Sequence, residues 1–212
     1  MGEGMRIAWD LSHLEFSIED EYYFSKLMEL IKSSGLELLV SENFEKTLQA
    51  DVAVFNYPEE SFSEREVSLI SDFIKKGGRA IFLAYYKNED RVAEHINEVS
   101  TNFGIEFQYN DVRDHKNNAG EPFLILTSRI HFPGLKIGRI VLPCTCTLKL
   151  SQNAKPLVET EATATIKAPV FGYAKHGNGV IICGGTCVFW DDYSLEKYEN
   201  AKFSLALLKN KL

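Results

Sequence analysis

Residues 50–83 read ADVAVFNYPEESFSEREVSLISDFIKKGGRAIFL, and this stretch decides the fold. Ala53–Phe55, continuing from Asp51, is apolar throughout, as a strand covered on both faces must be. Asn56-Tyr57-Pro58 turns the chain. Ser63-x-x-Glu66 is a capping box, in which each residue satisfies a free backbone N–H of the other at a helix start. Val67, Ile70, Phe73 and Ile74 then recur at helical spacing. Lys75 and Lys76 complement the helix dipole, and Gly77-Gly78 ends the helix. Ala80–Leu83 is a second apolar strand. Strand, helix, strand in this order is a βαβ crossover, which demands parallel pairing and a right-handed connection.

The flanking segments extend this unit. Arg6–Trp9 predicts a first strand that gives way to Asp10-Leu11-Ser12-His13. Phe24, Leu27, Leu30 and Ile31 predict a helix over 22–33, stopped by Gly35, and Glu37–Val40 a short strand. Val92, Ile96, Val99 and Phe103 predict a helix over 91–103, with Gly104 as its stop and Ile105–Phe107 extended. The chain changes character near Asn110. Residues 110–122 are polar and turn-rich, and from Phe123 to Val170 short β-like runs alternate with turns. Gly179–Cys183 returns as a strand, and 196–210 as a helix. The expected fold is a single α/β domain over 1–212: a flavodoxin-like three-layer sandwich with a mostly parallel sheet. A β-rich insertion at about 110–170 either extends that sheet or forms an edge flap.

Composition bounds the function. The 212 residues are 45% hydrophobic and 25% charged, with a formal net charge of −7. That suits a globular core, and an acidic surface repels phosphate backbones, so no nucleic-acid partner is expected. Apolar runs are strand-sized, which argues against membrane insertion, and no secretory signal pattern is visible. The cytoplasm is the default location, and residues ahead of Met5 read as an unstructured leader.

The 50–83 stretch resembles the class I glutamine amidotransferase-like superfamily in its non-catalytic branches. These include a domain of unknown function encoded beside MoxR-type ATPase genes, the gliding-motility ABC-transporter auxiliary domain, and the N-terminal domain of an intraflagellar transport subunit. The shared pattern is an apolar strand, a helix ending F-[IV]-x-x-G-G-[RK] (here Phe73 to Arg79), and another apolar strand. Gly177-Asn178-Gly179, Gly184-Gly185-Thr186 and Asn200-Ala201-Lys202-Phe203 agree with the later motifs. Catalytic members carry a nucleophilic Cys at a glycine-flanked strand-to-helix turn. Here Ala84-Tyr85-Tyr86-Lys87 comes after the strand instead. The resemblance therefore implies a module that binds or scaffolds, with no catalytic residue assigned. Its partner would be a protein, a second copy of the chain, or a small polar ligand such as a saccharide. The alternative is a hydrolase or transferase with a rearranged site using Asp10, His13 and Tyr85.

In an open α/β sheet, ligands bind beyond the strand carboxyl ends. Asp10, Ser12, His13, Asn56, Tyr57, Tyr85, Tyr86, Trp190, Asp191 and Asp192 each lie just past a predicted strand. Of these, Asp10, His13, Asn56, Tyr85, Tyr86, Trp190 and Asp191 form the candidate ligand site. Glu15 lies in the same first loop. Asp191-Asp192 with Asp10 could take Mg²⁺ or Ca²⁺, but adjacent aspartates near a helix start more often cap it. No metal or cofactor is assigned. Cys144, Cys146, Cys183 and Cys187 could form a zinc set or a disulfide, though unlinked thiols fit best. His95, between Glu94 and an apolar stripe, is expected at the surface.

Overall fold

The computed structural model describes residues 4–212. The leader expected ahead of Met5 therefore lies, apart from Gly4, outside the described residues. The chain runs β1 (Arg6–Asp10), α1 (Glu21–Ser33), β2 (Glu37–Ser41), α2 (Phe44–Thr47), β3 (Val52–Asn56), α3 (Glu64–Lys76), β4 (Arg79–Leu83), α4 (Val92–Ser100), β5 (Ile105–Phe107), β6 (Leu124–Thr127), β7 (Ile140–Pro143), β8 (Leu148–Leu150), β9 (Lys155–Glu159), β10 (Pro169–His176), β11 (Gly179–Gly184) and α5 (Asn200–Lys209). The main sheet has the order β2-β1-β3-β4-β11-β10-β9. β2, β1, β3, β4 and β11 are parallel, while β10 and β9 run antiparallel beyond them. The order 2-1-3-4 with one further parallel strand is flavodoxin-like, and the chain reverses direction across β1 and β3. The insertion extends this sheet through β9, which pairs with β10, a strand beyond the insertion that the sequence reading missed; it also builds the antiparallel pair β6–β7 and sets β8 against β5.

The crossover forms as its sequence demands. Ser63 and Glu66 make the reciprocal cap, with Ser63 N donating to Glu66 Oε2 (2.8 Å) and Glu66 N to Ser63 Oγ (3.3 Å). Gly77 ends α3 at φ +120°, where a side chain would be strained. Helix α1 is capped twice. Asp20 accepts from Tyr22 N, and after a kink at Phe24 the amides of Ser25 and Lys26 donate to Asp192, 167 and 166 residues away. Asp192 is thus a cap supplied by the far end of the chain.

Aromatic side chains divide by face. Trp9, Phe24, Phe171, Phe189, Trp190 and Phe203 form a connected set beneath α1 and α5. On the other face, Phe55 stacks on Phe82 and both meet Phe62 edge-on, with Phe44 beside Phe55. Three further sequence readings need correction. The one-turn α2 had no periodic signal. The 91–103 segment is helical only over α4, flanked by 3₁₀ turns at Tyr86–Arg91 and Thr101–Phe103. His95 is buried, its ring facing the Pro58 carbonyl, because α4 packs its His95 side as well as its apolar stripe into the molecule.

Asn200 explains one motif. Fully buried at the start of α5, it accepts from Val141 N (2.9 Å) and donates to the carbonyls of Val141 (2.9 Å) and Phe189 (2.6 Å). It fastens β7 to the helix. Replacing Asn200 with Ala removes three hydrogen bonds and orphans buried backbone groups, which costs about 3 kcal/mol. Urea denaturation should show that loss as a lower midpoint with an unchanged slope.

Candidate functional site

Asp10 ends β1 on the α3 face, and the loop after it folds His13 and Glu15 in beside it. Asp10 is fully buried and His13 is 3% exposed. Asp10 Oδ2 accepts from Ser12 N (3.1 Å) and Ser12 Oγ (2.6 Å), and Oδ1 from Thr47 Oγ1 (2.6 Å). His13 Nδ1 lies 3.4 Å from Asp10 Oδ2. Burial works against the Asp10 charge, but the hydrogen bonds from His13, Ser12 and Thr47 outweigh it and hold the carboxyl below its ordinary range. Burial, and then the Asp10 charge, push Glu15 up to about 9. The His13 ring stacks on Phe62 at 4.0 Å and meets Phe44 edge-on at 5.6 Å.

The other expected site residues do not join this cluster. Asn56, at the end of β3, points to the opposite face and accepts from Trp190 Nε1 (3.2 Å); both side chains are fully buried. Successive strand residues face opposite sides, so Asp10 and Asn56 end neighbouring strands yet are separated by the sheet. Tyr85 and Tyr86 are half-buried at the end of β4, in an aromatic row: Phe16 stacks on Tyr57 (4.7 Å), Tyr57 meets Tyr85 edge-on (5.9 Å), and Tyr85 meets Tyr86 (4.7 Å). The Tyr57 hydroxyl donates to Asp90 (2.8 Å). Asp191 accepts from Ser194 N (2.8 Å), and burial raises its pKa. Asp192 therefore caps α1 and Asp191 closes a turn onto Ser194; among the described residues the acid that groups with Asp10 and a histidine is Glu15, not either of these. Thr47, Glu66 and Phe62 were not singled out as site residues. Glu66 carries a sequence signal only as a cap, and Phe62 only as an apolar residue in a turn.

Five surface hollows of about 190–740 Å³ lie between other residues; none is lined by Asp10, His13, Asn56, Tyr85, Trp190 or Asp191. His13 meets Asp10 in the interior, with both side chains buried. The four cysteines are free thiols, three of them buried. Burial holds the thiols of Cys183 and Cys187 far above the ordinary value and that of Cys146 at about 12.

Among solved structures, the N-terminal domain of IFT52 superposes with a TM-score of 0.82 at 19% identity, over 97% of this chain and 99% of that one. A putative ThuA-like protein from Bacteroides uniformis ATCC 8492 gives 0.53 at 11% identity, over 97% and 89%. At such identities the likeness is one of fold: the chain fits a ThuA and class I glutamine amidotransferase-like fold. No family model matches the sequence. An uncharacterized protein of Aquifex aeolicus (strain VF5) is 36% identical over 223 residues, covering 97% of this chain and 94% of that protein. The chain belongs to the same family as that protein.

The thiol nearest the amidotransferase position comes from elsewhere in the chain. Cys144 sits directly after β7 at φ +48°, its carbonyl accepts from Tyr86 N (3.1 Å), and its thiol meets the Tyr85 hydroxyl. Burial raises its pKa and the Tyr85 contact only partly offsets this, while the Asp111 and Glu89 carboxylates push it the same way as burial. The thiolate is the reactive form, so a raised pKa makes Cys144 a slow nucleophile at neutral pH. Thiol titration of the native protein should modify Cys144 alone. The rate should stay below that of a free cysteine and climb about tenfold per pH unit towards the raised pKa. All four thiols should react after unfolding, and C144S should abolish the native signal.

Proposed function

We propose that this chain is a non-catalytic binding module that docks a protein partner through the loops leaving β1 and β11. One observation carries this reading. Among the described residues, six of the eight exposed large hydrophobic side chains sit on those two segments: Leu14 and Phe16 in the loop after β1 and Tyr22 and Tyr23 in the first turn of α1 that it leads into, with Tyr193 and Tyr198 after β11. The segments touch, since Asp192 N donates to the Tyr23 carbonyl (2.7 Å). Exposed tyrosines suit protein interfaces, offering a broad ring and a polar tip at small entropic cost. Glu19, Asp20, Glu21, Asp191, Asp192 and Glu196 flank them, so a partner surface carrying Lys or Arg is favoured. The likeness to the N-terminal domain of IFT52, part of a longer protein, supports a docking role. A MoxR-type ATPase, which the family resemblance implies as a gene neighbour, is the first partner to try. Strand pairing at the insertion edge is less favoured: the outer side of β9 is occupied where His131 N donates to Leu157 O and Glu159 N to Arg129 O.

Tyr22→Ala with Tyr193→Ala tests the surface. The side chains are 80% and 65% exposed, so stability should move by less than about 0.5 kcal/mol per site. Calorimetry against the purified ATPase should show affinity falling roughly thirtyfold per anchor tyrosine. Equal binding by variant and wild type would overturn the assignment of this face. A stable dimer by light scattering that the variant dissolves would make the partner a second copy. Selective retention of a saccharide on a glycan array would replace the protein partner by a sugar.

A further inference from the structure

The interior at the end of β1 holds two carboxylates and an imidazole, with no lysine or arginine paired to either acid among the described residues. His13 Nδ1 lies 3.4 Å from Asp10 Oδ2 and 3.9 Å from Glu15 Oε1. One ligand atom from each of the three lies within 4.8 Å of the others. Ser12 Oγ is 3.0 Å from the same nitrogen and 2.6 Å from Asp10 Oδ2. Glu15 has a fully buried side chain, and its Oε2 accepts from His13 N (2.8 Å) while Oε1 has no hydrogen-bond partner. An ionised carboxylate oxygen only accepts, so a buried one without a donor must take up either a proton, as the raised Glu15 pKa reflects, or a cation. The other side of the imidazole is also set: Nε2 lies 3.7 Å from Glu66 Oε2. A cation at Nδ1 would displace the proton that His13 gives to Asp10 and leave it on Nε2, facing Glu66, the arrangement that orients metal-bound histidines.

We propose that Asp10, His13 and Glu15 bind one first-row divalent cation, with Ser12 Oγ as a neighbouring oxygen. Two carboxylates neutralise the ion and the imidazole supplies nitrogen, a mixed set that suits Zn²⁺ or Mn²⁺ better than Mg²⁺. Phe62 and Phe44 close over His13, so the site is structural: it fastens the 11–16 loop to the end of β1.

The full chain, stripped with chelator, is titrated with Zn²⁺ and with Mn²⁺ by calorimetry and loaded with Co²⁺ for its visible spectrum. One equivalent should bind per chain, Tm should rise on loading, and the Co²⁺ d–d bands should come without thiolate charge transfer. Glu15→Gln keeps the shape and the acceptor for His13 N, so it should stay folded by circular dichroism yet lose stoichiometric binding. Glu66→Gln, removing only the outer carboxylate, should weaken binding about 10–100-fold. Absence of binding by the native wild type overturns the site and leaves Asp10 and Glu15 sharing a proton. Undiminished binding by E15Q, a thiolate charge-transfer band, or preference for Mg²⁺ overturns it equally.

Discussion

β3 is buried at all five of its residues and β11 at all six. A sheet covered on both faces has no solvent side, so each polar group at a strand end must be matched inside the protein or left at a cost of about 1–3 kcal/mol. This constraint organises the carboxyl end of the sheet. Asp10 takes hydrogen bonds from Ser12 and Thr47, and Asn56 accepts from Trp190. Residues that in an open crevice would greet a ligand are instead committed to one another. The surface left for recognition is the next layer out, on the loops.

The legible parts of the sequence are those fixed by neighbours in the chain. The capping box at Ser63, the apolar stripe of α3 and the Gly77 stop are contained within 15 residues, and the structure reproduces them. Their βαβ arrangement forces parallel pairing, and with it most of the fold. Long-range choices were not legible. Asp192 reads locally as a cap for the helix expected from 196, yet it caps α1. The short runs at 123–170 show that strands exist, but not that β9 joins the main sheet beside β10, which none of those runs covers, while β6 and β7 pair alone.

The candidate site shows the same division. That Asp10, Asn56, Tyr85 and Trp190 come just after strands is a local fact, available from pattern alone. Which face each occupies depends on the parity of the strand's last residue, and Asp10 and Asn56 are out of phase across the sheet. Register therefore splits a set that adjacency in sequence had grouped. His95 fails for a related reason: one polar residue beside an apolar stripe does not reveal how wide a face the helix buries.

The loop from Ser12 to Phe16 inverts the ordinary pattern. His13 and Glu15 are buried, while Leu14 and Phe16 are 60% and 43% exposed, with Leu14 in the left-handed region at φ +59°. Hydrophobic burial alone would turn this segment over, placing two apolar side chains inside and two ionisable ones in water. Its conformation must be held by the polar groups. Asp10 supplies one anchor, and the Trp9 indole donating to the Phe16 carbonyl (2.8 Å) another. A cation bound among Asp10, His13 and Glu15 would be a third, and the strongest. The same residues would then satisfy the interior and present Leu14 and Phe16 outward. Inside charge and outside apolar surface are thus two consequences of one backbone path, and a change that frees Glu15 from the interior should also withdraw Phe16 from the docking face.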